Sequence, residues 1–369
     1  MKRLFSLICL TLLIAPLSAG AQTFVPDPDE FAAALVMRAD TKQILYSFKP
    51  DKPHTAASLT KLATALAVLD LNPRWDRRVS LASADEVGGG RLRVASGATM
   101  SVQDLFYSAL TASANNAAMA LGRTSSVGTK AFIARMNAAA KRVGATNSVF
   151  YEAAGMNPKN TTTAHDIALI ALNAFRNANV HSASTVSEYS FQIRNTGEKK
   201  TIKSTNLPLL EDQDVWLVGG KTGYLVESKY NLVAQMRPYD GKASDPKREV
   251  VVVVLGSPSK EASFRSVKRI AQWAWSDPAN FKPAPFPGPA IDRDLSEGMR
   301  DDRVKTLQAL LARDIEVYPD GRITGFFGPL TRAAVQAFQT KYSLVKPGET
   351  GYGRVGPATR EKLIQLYGT

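Results

Sequence analysis

The stretch FKPAPFPGPAIDRD, residues 281–294, constrains the fold more than any other part of the chain. Its four prolines lie between helical patterns. Proline lacks a backbone N–H and fixes φ, so such a run neither continues a helix nor sits inside a sheet. It reads as a stiff, extended linker. The 369 residues therefore have to fold as a large unit before it and a small one after it. The expected division is a leader over 1–21, a large domain over 22–277, the linker over 278–294 and a small module over 295–369.

In the large part, FAAALVMRADTKQILYSFKP predicts two strands around a turn at Ala39-Asp40-Thr41. HTAASLTKLATALAVLD then starts a helix, with Leu62, Leu66 and Leu69 on one face. MSVQDLFYSALTASANNAAMALGR predicts two helices meeting near Ser113, the first capped by Ser101 with Asp104 three residues on. TKAFIARMNAAAKRVGA is a helix ended by Gly144, and TTTAHDIALIALNAFRN another, capped by Thr163. VSEYSFQIRN, DVWLVGGKTG, KYNLVAQMRP and REVVVVVLG read as strands, the last a buried one. ASFRSVKRIAQWAWS closes the domain as a helix. Strands at both ends of a helical middle predict an α+β fold, an antiparallel sheet flanked by helices.

The small part contains an internal repeat, GFFGPLTR at 325–332 and GRVGPATR at 353–360. Each copy is Gly-x-x-Gly-Pro-x-Thr-Arg ahead of an apolar helix. Proline suits a first helical turn, and glycines suit the tight turn before it. With the earlier DDRVKTLQALLAR, this predicts a three-helix module with a thin core.

The N-terminus, MKRLFSLICLTLLIAPLSAGAQ, has two cations, a short apolar run and small residues before Gln22, which is the pattern of an export signal. The protein would meet a membrane only if that segment stayed uncleaved. The sole cysteine, Cys9, lies within it. A mature chain without thiols excludes a disulfide scaffold, a cysteine nucleophile and a thiolate metal site. The formal net charge is +13, which suits an anionic partner outside the cell, such as wall polymer. No nucleic-acid motif is present. His54, His165 and His181 have no metal-ligand spacing, so no metal and no cofactor is expected.

Ser58 and Lys61 lie three apart where a helix begins, and so project from the same side of it. A chain this long holds about one or two Ser-x-x-Lys by chance, and Ser-x-Asn, here Ser113-Ala114-Asn115, is as common. Lys221-Thr222-Gly223 is rarer, at roughly a tenth of an occurrence. All three occur in order, each on a useful element, and together they fit acyl transfer. A serine hydroxyl needs a base, and Lys61 can serve if burial and a nearby cation such as Lys221 lower its pKa. A helix start favours negative charge developing on Ser58. Ser113 can relay a proton to a leaving amine, and Asn115 can bond both Lys61 and a substrate amide. Lys221 and Thr222 can grip a terminal carboxylate, and Gly223 lets a peptide backbone lie close to its strand.

This set resembles that of the low-molecular-mass D-alanyl-D-alanine carboxypeptidases, the serine penicillin-binding proteins, with Ser-Ala-Asn as the middle motif. The resemblance spans about residues 28–275 and includes AASLTKLATALAVL, VGATNSVFYEAAGMNP and GGKTGYLVESKYNLVAQM. It implies a β-lactamase/DD-peptidase-like sheet. It makes Ser58 the acylated residue and Lys61 its base, with Ser113 and Asn115 completing the centre. Lys221, Thr222 and Gly223 become the substrate-binding strand, and the N–H groups of Ser58 and Tyr224 the oxyanion hole. The implied partners are peptidoglycan stem peptides, with β-lactam antibiotics as acylating inhibitors, in the cell envelope outside the cytoplasmic membrane. The C-terminal part resembles small three-helix peptidoglycan-binding domains through VKTLQALL, GFFGPLTRAAVQAFQTKYSL and GRVGPATREKL.

Two positions depart from the pattern. Ser263 stands where many members have an arginine, so that a carboxylate would fall to Lys260 or Arg265. Leu225 follows Gly223-Tyr224 where the familiar residue is threonine. The alternatives are a β-lactamase, a DD-endopeptidase and a catalytically idle wall-binding or penicillin-sensing protein. A β-lactamase needs a deacylating glutamate; Glu152 is near a suitable turn, but EAAGMN puts its asparagine one place too far, and Glu152 reads as a surface loop residue.

Overall fold

The computed structural model describes residues 24–27, 29–281, 288–314 and 316–367. The expected leader and part of the linker lie outside these. The chain divides into two units, 1–280 and 281–369, each with its own core.

In the first unit, strands β1 (Ala33–Arg38) and β2 (Ile44–Phe48) form the expected hairpin. β3 (Val215–Leu225), β4 (Lys229–Pro238) and β5 (Val250–Ser257) come much later in the chain. Together they make one antiparallel sheet in the order β2-β1-β5-β4-β3. β5, reading VVVVVLGS, is buried along its whole length. Side chains alternate across a strand. Val251, Val253 and Leu255 join Leu62, Phe106, Phe132 and Ile167 in the main core. Val250, Val252 and Val254, equally buried, take the other face. A strand covered on both sides can be apolar at every position.

The five longest helices between β2 and β3 are α1 (Thr60–Asp70), α2 (Val102–Thr111), α3 (Asn115–Arg123), α4 (Gly128–Arg142) and α5 (Ala164–Phe175). α6 (Lys260–Ser276) follows β5 and packs back on β4 and β5. Ser101 and Asp104 form a reciprocal capping box on α2: the Asp104 N–H donates to Ser101 Oγ at 3.0 Å and the Ser101 N–H to the Asp104 carboxylate at 3.0 Å. Thr163 caps α5 in one direction, accepting from the Asp166 N–H at 3.0 Å. Gly144 ends the segment after α4 with φ +91°, a conformation glycine adopts without a Cβ penalty. The strand expected at VSEYSFQIRN pairs with Lys199–Lys203, a segment whose lysines give it no apolar alternation to mark it as a strand.

The second unit contains α7 (Asp302–Leu311), α8 (Pro329–Lys341) and α9 (Pro357–Tyr367). Each repeat proline starts a helix. The repeat also has a buried partner that the motif does not include. Gln308 donates to Thr331 Oγ1 at 2.8 Å and the Phe326 carbonyl at 2.9 Å, and accepts from the Gly325 N–H at 2.9 Å. Gln339 does the same one repeat later, with Thr359 at 3.0 Å, the Arg354 carbonyl at 2.7 Å and the Gly353 N–H at 2.7 Å. Each glutamine satisfies the backbone of the turn that launches the next helix. The expected linker is trimmed at both ends. The Asn280 carbonyl accepts from Arg38 of the first unit at 3.1 Å, and Ile291 lies in the core of the second.

Candidate active site

Ser58 occupies a 3-10 turn, Ala57–Leu59, that leads directly into α1. Residues 56 to 68 are buried apart from Ser58, which is partly open. Leu59, Leu62 and Leu66 pin the turn into the core and leave its hydroxyl toward solvent. Ala57 has φ +47°, a strained backbone for a residue with a Cβ. Gly155 is what allows the turn to sit there. A Cβ on it would meet the Ala57 carbonyl at 1.9 Å. From β4, Asn231 donates to the Thr55 carbonyl at 2.9 Å and ties the same turn to the sheet.

One helical turn on, Lys61 is completely buried. Its Nζ lies 2.7 Å from Ser58 Oγ, 2.7 Å from Asn115 Oδ1 and 2.6 Å from the Ala154 carbonyl. A lysine nitrogen has three such positions. Two are claimed by oxygens that only accept, so the third is directed at the serine. Burial pushes the Lys61 pKa down to about 7, against the opposing pull of the Glu152 carboxylate. Neutral amine is therefore abundant near pH 7, with its lone pair toward the Ser58 O–H.

Ser113 sits in the α2–α3 connection with φ +57°. Its Oγ accepts from Lys221 Nζ at 2.8 Å, and the same nitrogen donates to the Thr222 carbonyl at 2.9 Å. Lys221 is fully buried on β3, and burial followed by the charge of Lys61 lowers its pKa well below the lysine range. Asn115 donates one N–H to the Gly88 carbonyl at 2.8 Å, which leaves the other for the cleft. Gly88 opens a run of three glycines that packs on Asn115: the Gly90 carbonyl accepts from the Asn115 backbone N–H at 2.7 Å, and a Cβ on Gly89 would come within 2.8 Å of Asn115 Nδ2. A run of three glycines is a signal of close backbone approach that the sequence itself carries.

These groups surround a cleft of about 450 Å³. Ser58, Ser113 and Asn115 line it with Thr222, Gly223 and Tyr224 of the edge strand β3. The structure thus brings together the expected residues Ser58, Lys61, Ser113, Asn115, Lys221, Thr222, Gly223 and Tyr224, with one correction to their setting. Lys221 does not reach the cleft to grip a carboxylate; it stands behind Ser113. Gly223 is needed on its inner side, where a Cβ would crowd the Ser58 and Leu59 nitrogens at 3.2 and 3.3 Å. Lys260 lines the cleft beside buried Ser263, whereas Arg265 is exposed and does not.

Glu152 is the largest correction. It is no free surface residue. Its carboxylate accepts from the N–H of Ala154 at 2.6 Å, of Gly155 at 2.6 Å and of Met156 at 2.8 Å, and from Asn160 Nδ2 at 3.0 Å. His54 lies on a short strand, and its Nε2 is 3.0 Å from the Ser228 carbonyl. His181 Nδ1 is 2.7 Å from the Val218 carbonyl, and His165 lies in the first turn of α5. Among the described residues no group of three or more His, Cys, Asp or Glu side chains could hold a metal ion.

Known proteins are similar to this chain in sequence and in fold. A D-alanyl-D-alanine endopeptidase of Pseudomonas aeruginosa is 28% identical over 308 residues, covering 81% of this chain and 96% of that one. A D-alanyl-D-alanine carboxypeptidase of Bacillus subtilis is 26% identical over 288 residues, covering 75% and 72%. The solved DD-transpeptidase of Streptomyces K15 superimposes with a TM-score of 0.61 at 26% identity, covering 69% of this chain and 100% of that one. Residues 300–363 match the sequence model of a peptidoglycan binding domain. Over residues 22–259 the match is to the D-alanyl-D-alanine carboxypeptidase family, and this chain belongs to it.

Proposed function

We propose that the protein is an exported serine D-alanyl-D-alanine carboxypeptidase that acts on peptidoglycan stem peptides in the cell envelope. Ser58 Oγ attacks the carbonyl carbon between the two terminal D-alanines, and its proton passes to neutral Lys61. The backbone N–H groups of Ser58 and Tyr224 hold the resulting oxyanion. When the peptide bond breaks, Ser113 gives its hydroxyl proton to the departing amine and is reprotonated from the lysine pair behind it. Water then attacks the ester, with Lys61 again taking a proton, and Ser58 is freed. Thr222 and Lys260 bind the leaving carboxylate, and the substrate backbone runs along the open edge of β3 as an added strand. The C-terminal module keeps the enzyme on its polymer and raises the local substrate concentration.

The observation that carries this reading is the set of three partners around Lys61 Nζ, two of them fixed acceptors and the third Ser58 Oγ at 2.7 Å. Release of D-alanine from a soluble pentapeptide tests it. Ser58→Ala is expected to abolish release while the protein stays folded; undiminished release contradicts it. Cleavage of cross-linked peptides is a second reading, favoured by alignment over 96% of a relative named as an endopeptidase. Assaying a purified cross-linked dimer beside the pentapeptide separates the two.

A further inference from the structure

We propose that Glu152 is a positioning residue for acylation. Its carboxylate gathers the backbone of residues 154–157 and so fixes the Ala154 carbonyl as one of the acceptors that aim Lys61 at Ser58. The inference rests on the roles given above to Ser58 and Lys61.

The loop has no regular secondary structure to hold it. The N–H groups of Ala154, Gly155, Met156 and Asn157, the last at 3.3 Å, converge instead on one side chain. Such a cluster of backbone N–H groups around an anion is a stable local fold. Three things depend on it. The Ala154 carbonyl is held 2.6 Å from Lys61 Nζ. Gly155, at φ +85°, is pressed on the Ala57 carbonyl next to the nucleophile. Met156 is set in the wall of the cleft. Asn160 locks the carboxylate from behind, donating both to it and to the Glu152 carbonyl at 3.0 Å. With its oxygens so occupied and its side chain outside the cleft lining, Glu152 cannot activate a deacylating water.

Glu152 also supplies negative charge. The charged groups that act on Lys61 are Glu152 from this loop and Lys221 from β3; Asn115 and Ser58 are neutral. Without Glu152 the ammonium form of Lys61 loses the counter-charge that this carboxylate supplies.

The test measures the second-order acylation rate of the full chain by a fluorescent penicillin across pH, with thermal melting in parallel. Glu152→Gln is expected to slow acylation about tenfold or more, as expected for a displaced base. It should also move the acid limb of the profile to lower pH, since removal of an anion lowers the pKa of a neighbouring amine. The adduct should persist as in the parent protein. Glu152→Asp keeps the charge but draws the oxygens back by one methylene. It should leave the limb in place and still slow the reaction, and it serves alone if Glu152→Gln does not fold. An unchanged rate in the folded variants overturns the proposal, as does a slower rate with an unmoved limb in Glu152→Gln. Faster hydrolysis of the adduct by Glu152→Gln than by the parent also overturns it, since a displaced Lys61 can only slow that step. If the parent profile has no acid limb, the assignment of Lys61 as base fails first, and the role of Glu152 falls with it; a parent limb with unaltered Glu152 variants fails the role of Glu152 alone.

Discussion

At the scale of single residues, burial does most of the chemistry. Lys61 and Lys221 are among the largest fully buried side chains of the protein. An ammonium taken out of water loses hydration that two or three hydrogen bonds replace only in part, so the neutral amine gains ground. The sequence could name both lysines by their motifs. It could not show that Lys221 stands behind Ser113 rather than in the cleft, because that depends on which face of β3 turns inward. The one charged residue lining the cleft among those described is Lys260. It is exposed, so its pairing with a substrate carboxylate is worth about 1 kcal/mol or less. Lys260→Ala should therefore raise KM for the pentapeptide about two- to fivefold with kcat nearly unchanged, and the difference should shrink in high salt. An unaltered KM would remove Lys260 from the binding site.

At the scale of elements, much was legible because the signals are local. Ser101 with Asp104 and Thr163 with Asp166 could be read as caps from their three-residue spacing alone, and the apolar run of β5 announced a covered strand. Interactions between backbone and a distant side chain gave no such signal. Glu152 looked like a loop carboxylate because its partners are main-chain N–H groups, which every sequence has. Nothing in the sequence marks Gln308 and Gln339 as buried, yet both are. Removing a buried partner leaves polar groups unsatisfied at about 1–3 kcal/mol each. Gln339→Leu is expected to destabilise the second unit by about that amount or more. Hydrogen exchange would detect it as faster exchange of the Gly353 amide and of α9, with penicillin acylation unchanged. Retained protection at Gly353 would contradict the role of Gln339 as the clamp of the repeat.

At the scale of the whole molecule, the candidate site joins segments far apart in the chain. Ser58 and Lys61 come from the start of α1, Ser113 and Asn115 from the α2–α3 connection, Ala154 and Glu152 from a loop before α5, and Lys221 from the edge of the sheet. Three short motifs in the right order were enough to anticipate that meeting, and no single one of them was. The division into two units was written in the prolines, and its limits, with Asn280 on one side and Ile291 on the other, were set by packing that the linker composition does not reveal. The account turns on a buried, neutral Lys61 directed at Ser58. Its most direct test is the rate of acylation by a labelled penicillin from about pH 5 to about pH 9, with the adduct mapped by mass spectrometry. The expected result is a single lasting adduct on Ser58, formed at a rate that rises about tenfold per pH unit and levels off above about pH 7. An adduct on another residue, or a rate flat across that range, would contradict it.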